Sequence, residues 1–86
     1  MARMREAVYA AFDGKRLGNF LIEIVEVECG TAYGSVTDTT AKQQSISFNF
    51  TSSREKMLEP RTVSAIFSAL EDAINRKLTQ VELNFS

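Results

Sequence analysis

The feature that most constrains this fold is one amphipathic helical pattern in the last third of the chain. Apolar residues recur there at intervals of three and four, the spacing of a single buried helix face. The members of that face are Val63, Ile66, Phe67, Leu70, Ile74 and Leu78. Pro60 suits the first helical turn, where its missing N–H leaves no bond unmade, and the cations Arg76 and Lys77 suit the last turn. The pattern predicts a helix over 60–77, which needs an apolar layer to pack against.

Two alternating segments predict strands that supply this layer. Residues 45–51 and 81–85 alternate apolar with polar side chains, which is typical of a half-buried strand with one face in water. We therefore expect the inward side chains of both strands to form the core together with the helix face. The expected core members include Phe48, Phe50, Ile66, Phe67, Leu70, Ile74, Leu83 and Phe85.

The segment 19–29 predicts the longest strand, but its alternation changes phase in the middle. Phe20, Ile22 and Ile24 share one parity, whereas Val25, Val27 and Cys29 have the other. A β-bulge near Ile24 and Val25 would turn all six toward the core. It would leave three carboxylates in water, namely Glu23, Glu26 and Glu28. We expect a turn at Gly30 and Thr31 and then a weaker strand over 32–37.

The first fifteen residues fit two structures. Met4, Val8, Ala11 and Phe12 have helical spacing, and Gly14 is a suitable helix end. Alternatively, residues 7–12 form a strand and Asp13-Gly14 is the turn of a β-hairpin, for which Asp-Gly is among the strongest short signals. We favour the hairpin, because Val8 and Tyr9 are good strand formers.

Together these patterns predict a single α+β domain over residues 1–86. A mainly antiparallel sheet of four or five strands has one long helix from the C-terminal half of the chain packed on one face. The order of elements is β-β-β-β-α-β, or α-β-β-β-α-β if the first segment is helical. A capping-box pattern beginning at Ser52 and Ser53 predicts a separate short helical turn over 53–58.

The residue types argue against an enzyme. The chain has no histidine, which removes the commonest acid–base group and the commonest zinc ligand. The three glutamates of 19–29 look like a solvated strand face, and Cys29 has the parity of a buried structural cysteine. We expect no catalytic residue, no metal site and no cofactor. The lone cysteine suits a reducing compartment, and no apolar run approaches the ~20 residues of a membrane helix, so we expect a cytoplasmic protein with no membrane partner.

We therefore expect a small protein-binding or regulatory module that acts through an exposed sheet edge and a polar loop. The loop lies in 37–45, and its candidate partner-binding residues are Asp38, Lys42, Gln43 and Gln44. Small proteins of phages and mobile elements are often built this way, which is an analogy of size and architecture. A further alternative is a subunit of a larger assembly.

Nucleic-acid binding is the main alternative. It would use a basic N-terminal segment and hairpin tip, formed by Arg3, Arg5, Lys15 and Arg16. A sequence pI near 5.4 and interleaved acids disfavour this function, since nucleic-acid domains usually carry a basic patch and a high pI.

Self-association is expected because an open sheet has two edges, and unpaired edges are templates for another chain. The predicted first strand has charges only at its start, and 32–37 has none. Either segment would be a poorly protected edge. We therefore expect a homodimer that pairs or covers such an edge.

Overall fold

The computed structural model describes residues 2–40, 44–57 and 59–85, which form a five-stranded sheet with three helices. The elements in chain order are α1 (Ala2–Phe12), β1 (Arg16–Leu17), β2 (Phe20–Glu28), β3 (Thr31–Asp38), β4 (Ser45–Thr51), α2 (Arg54–Met57), α3 (Pro60–Asn75) and β5 (Gln80–Asn84). The strands lie side by side in sequence order. All neighbours are antiparallel except β4 and β5, which are parallel because α3 returns the chain between them. The predicted α+β class and the long C-terminal-half helix are confirmed.

The long helix α3 begins at Pro60 as predicted but ends at Asn75, two residues early. Lys77 adopts a left-handed conformation with φ 57°, which stops the helix. The N–H of Leu78 then donates to the C=O of Ala73 at 3.0 Å. Leu78 consequently lies beyond the helix and is 37 % exposed, so its predicted place on the buried face is wrong.

The N-terminal segment is helix α1, so the favoured hairpin over 7–12 is wrong and the helical alternative is right. Burial decides between them, because Met4, Val8 and Phe12 fall four residues apart and all three are buried. The Phe12 ring packs 5.4 Å from that of Phe50 and 5.1 Å from that of Phe67, centroid to centroid. Asp13 and Gly14 end the helix instead of forming a hairpin turn.

All three helices cover the same face of the sheet. Their buried residues join the inward residues of β2, β3 and β4 in one apolar cluster. Of the predicted core, four members are buried, namely Phe48, Phe50, Ile66 and Leu70. The other four, Phe67, Ile74, Leu83 and Phe85, are half-buried and pack at the rim of the cluster. The rim position follows from the topology, since β5 is the last strand of the sheet.

The predicted bulge in β2 is confirmed, with Val25 as the extra residue between the pairs Ile24–Gly34 and Glu26–Tyr33. Its expected effect is only partly right, because Val25 points outward and is 68 % exposed. Cys29 is also exposed, so the expected buried cysteine is wrong.

The position of the β2–β3 turn explains the exposed cysteine. Glu28 pairs with Thr31, which leaves Cys29 and Gly30 as the two turn residues rather than Gly30 and Thr31. Both have positive φ, 52° and 79°, as the tight type I′ hairpin turn requires. Within the part of the chain that the structure describes, no helix is long and apolar enough to cross a membrane.

Candidate functional site

The outer edge of β2 is covered by the chain itself. The strand β1 pairs only with its first two residues, Phe20 and Leu21. The loop before β1 continues the cover, since the N–H of Ile22 donates to the C=O of Lys15 and its C=O accepts from the N–H of Gly14, both at 2.8 Å. Beyond Ile22, helix α1 lies along the strand.

A polar stripe along α1 binds three further backbone groups of β2. Arg5 and Tyr9 lie on α1, and Asp13 follows its last residue with its N–H still donating to the C=O of Tyr9 at 3.0 Å. These three residues are four apart and therefore share one side of the helix. Their bonds to β2 are Arg5 Nη1 to Val27 O at 3.3 Å, Tyr9 Oη to Val25 O at 3.4 Å, and Ile24 N to Asp13 Oδ1 at 2.8 Å. The Arg5 guanidinium also lies 5.6 Å from the centroid of the Tyr9 ring. These bonds occupy outward backbone groups that would otherwise offer a pairing site to another strand.

The opposite edge is strand β5, which pairs with β4 alone among the described strands. The N–H of Ser47 donates to the C=O of Thr79 at 3.0 Å, and the N–H of Phe85 donates to the C=O of Thr51 at 2.8 Å. Because backbone direction alternates along a strand, the odd-numbered residues of β5 face β4. The N–H and C=O groups of Gln80 and Glu82 therefore point away from the sheet.

The β5 edge carries few of the usual protections. Edge strands commonly contain proline, lysine or a bulge that prevents further pairing. The sequence of β5 is Gln-Val-Glu-Leu-Asn, with no proline and no lysine, and its pairing with β4 runs without a register shift. Glu82 is its one charged residue. The inward side chains Val81 and Leu83 are only half-buried, which leaves apolar surface beside the edge.

The sheet face opposite the helices is open and predominantly acidic. Its charged residues, placed by the strand register, are Arg16, Glu23, Glu26, Glu28 and Glu82. The predicted exposure of the three β2 glutamates is confirmed. The pKa of Glu26 is raised above its ordinary value, because the Glu28 carboxyl is hydrogen-bonded to it and its charge repels that of Glu26, while Arg5 acts in the opposite direction.

A groove of about 650 Å³ lies at the end of the sheet where β2 turns into β3. Its lining combines a short apolar floor with charged residues of both signs: Met4, Arg5, Val27, Glu28, Cys29, Gly30, Arg54 and Glu55. Within the described ranges, no three His, Cys, Asp or Glu side chains lie close enough together to hold a metal. The groove instead places the exposed thiol of Cys29 among guanidinium and carboxylate groups.

The predicted partner-binding loop is described only in part. Lys42 and Gln43 lie outside the described residues. Asp38 ends β3, and its Oδ1 accepts from the N–H and hydroxyl of Thr40 at 2.9 and 2.6 Å. Its N–H donates to the C=O of Gln44 at 3.0 Å, and the Gln44 side chain is exposed. The structure therefore brings Asp38 and Gln44 together through this backbone hydrogen bond, while the Asp38 carboxylate is bound by Thr40.

The residues of the predicted basic segment are divided among α1, the loop after it and the open sheet face. Arg3 and Arg5 lie in α1, while Lys15 follows this helix and Arg16 lies on the open sheet face. At the helical rise of ~1.5 Å per residue, Arg5 is about 10 Å from Phe12 at the end of α1, and Lys15 follows three residues later. Lys15 Nζ donates to the C=O of Ala10 at 3.2 Å. The predicted hairpin tip is also wrong, because the β1–β2 turn is formed by Gly18 and Asn19.

No protein-family model matches the chain, and neither a curated protein nor a solved structure resembles it significantly. The two edges of the sheet are therefore the features from which a function can be inferred. The covering stripe of α1 was not predicted from the sequence, although its signal is present. Arg5, Tyr9 and Asp13 each follow an apolar residue of the buried stripe by one position, which places them beside it on the helix.

Proposed function

We propose that this protein is a non-enzymatic binding module that pairs the β5 edge with an extended segment of a partner protein. The observation that carries the proposal is the asymmetry of the sheet, since α1 covers the β2 edge while β5 directs backbone groups outward. Strand addition at such an edge draws its affinity from main-chain hydrogen bonds and its specificity from alternate side chains.

The apolar surface beside β5 supports the same proposal. Val81 and Leu83 are half-buried on the inward face, and Phe85 beyond the strand is half-buried as well. An added strand would cover these side chains with its own inward residues, which contributes apolar burial in addition to the main-chain bonds. The absence of histidine from the sequence supports the non-enzymatic part of the proposal. Histidine is the usual base that activates a cysteine nucleophile, and this chain has none to activate Cys29.

Nuclear magnetic resonance with a defined probe tests the proposal. The probe is an end-capped peptide of alternating threonine and valine with one central lysine, added to ¹⁵N-labelled protein. We expect the amides of Gln80 and Glu82 to shift and to exchange more slowly with solvent, because they gain acceptors. The amide of Ile24, already bound to Asp13 at the covered edge, is the internal control and should not change.

A matched variant separates strand pairing from other contacts. Glu82→Pro removes an outward N–H at an edge position where proline is tolerated, so the fold should persist while the peptide shifts disappear. Glu82→Gln loses the same charge but keeps the N–H, and it should retain the shifts. Shifts that stay after the proline substitution, or that map to the groove beside Cys29, would contradict the proposal.

The structure removes the original grounds for the homodimer that the sequence analysis expected. The N-terminal segment is helix α1, and 32–37 lies within β3, an interior strand. A dimer that pairs edge to edge would therefore have to use β5. Light scattering coupled to size exclusion at ~10–100 μM protein measures this directly, since a dimer has twice the 9.6 kDa chain mass.

A further inference from the structure

The residue at the centre of β5 determines which strands can pair with it. Glu82 is the middle residue of Gln80–Asn84, and its backbone groups face outward. Its side chain lies on the open sheet face, because Glu82 pairs with Asn49 while the neighbouring Val81 pairs with the buried Phe48. An added strand would therefore place one of its own side chains directly beside the Glu82 carboxylate.

A second copy of this chain meets a penalty at that position. Antiparallel pairing of two β5 strands about a two-fold axis uses their full length only when it is centred on Glu82. The two Glu82 residues would then form a hydrogen-bonded pair with Cα atoms about 5.5 Å apart. Like charges directly opposite each other destabilise a sheet. A shift of two residues separates the carboxylates but shortens the pairing, and a shift of one residue turns the polar side chains toward the apolar face.

No nearby cation compensates the Glu82 charge within the described part of this sheet face. The β4 strand beside it has the uncharged sequence Ser-Ile-Ser-Phe-Asn-Phe-Thr. Arg16, the basic residue of the open face, lies on β1 at the opposite edge. At ~4.8 Å per strand, four strand spacings separate them by roughly 19 Å. The other carboxylates of this face, on β2, add to the negative potential.

We infer that β5 selects an extended segment of a different protein, with a lysine or arginine opposite Glu82 and apolar residues on both sides of that cation. This inference rests on the proposed strand addition and names its partner chemistry. The cation would pair with Glu82 on the open face, while the flanking apolar side chains extend the inner surface formed by Val81 and Leu83. Glu82 thus disfavours the second copy and favours the basic strand through the same charge.

Two peptides that differ in one residue test the inference. Both are end-capped and alternate threonine with valine, and the central position is lysine in one and glutamate in the other. We expect the lysine peptide to bind the wild-type protein about three- to tenfold more tightly, from the difference between an attractive and a repulsive cross-strand pair. The E82K variant should prefer the glutamate peptide, and E82Q should bind both equally. Because Glu82 is exposed, circular dichroism should find both variants folded.

The outcomes separate this inference from the proposed function. Equal binding of both peptides at β5 of the wild-type protein would overturn the charge selection and leave strand addition standing. Absence of any β5 shift with either peptide would overturn both. Light scattering tests pairing with a second copy of the chain. Wild type should remain at the chain mass of 9.6 kDa, while E82Q should approach twice that mass as the protein concentration rises. A wild-type dimer at these concentrations, or an E82Q variant that stays at the chain mass, would contradict the role of Glu82.

Discussion

Replacing Asp13 with alanine tests whether α1 protects the β2 edge. In the folded protein Asp13 Oδ1 accepts the part-buried N–H of Ile24 at 2.8 Å. Hydrogen bonds to charged acceptors contribute about 1.5–3 kcal/mol, and the lower value applies here because Asp13 is exposed and water can replace it. Asp13 also follows the C-terminal end of α1, where a negative charge costs about 0.3–1 kcal/mol. The substitution should therefore lower the free energy of unfolding by about 1 kcal/mol.

Equilibrium unfolding in urea measures this loss, and a change of about 1 kcal/mol should lower Tm by ~4–8 °C in a domain of this size. Hydrogen exchange should accelerate at the Ile24 amide in particular. Asp13→Asn retains the acceptor oxygen without the charge and should recover most of the stability, while Glu6→Ala on an exposed part of α1 controls for loss of a carboxylate. An unchanged urea midpoint together with unchanged exchange at Ile24 would refute the protective role of Asp13.

The packing and the charges of the described residues support three further predictions. Phe12→Ala should lower the free energy of unfolding, measured in urea, by about 3–5 kcal/mol, as the loss of a buried aromatic ring does. Phe67→Ala should lower it less because that ring is half-buried, and the reverse order would contradict the described core. Cys29→Asn should stabilise the protein by about 1 kcal/mol, since asparagine tolerates positive φ better, and a lower Tm would argue against this turn. Because folding raises the pKa of Glu26, the folded state holds that proton more tightly, and stability should fall as the pH rises through the raised pKa. Glu28→Gln should remove this fall and return the pKa of Glu26 toward its ordinary value of 4.5 in an NMR titration, whereas an unmoved pKa would exclude Glu28 as the cause.

The regular elements could be predicted because their periodicity reflects burial on one side. The helix α3 and the strands β2, β4 and β5 each repeat apolar residues with the period of a single covered face, and the structure buries that face. The bulge at Val25 was predictable for the same reason, since a phase change within one apolar strand needs an extra residue. These are local patterns with a common physical cause.

The errors occurred where tertiary contacts decide between local signals. Asp13-Gly14 suits a hairpin turn and a helix end equally, and the fold uses it as a helix end because Phe12 fills the space between Phe50 and Phe67. Cys29 has the parity of a core residue, but strand pairing places it in a turn with positive φ. The candidate site was predictable only as a sheet edge, because sequence periodicity does not give the order of strands within a sheet.

The same placement of α1 explains why the two edges differ in chemistry. Met4, Val8 and Phe12 face the sheet and are buried. The residue that follows each of them therefore lies on the side of the helix, and this side of α1 faces the edge of β2. Polar residues on that side can therefore cover the edge without any additional element. No helix lies in the corresponding position beside β5 among the described residues, because α3 has already returned the chain across the sheet. If β5 pairs with a partner strand as proposed, the charge of Glu82 then distinguishes a basic strand from an acidic one.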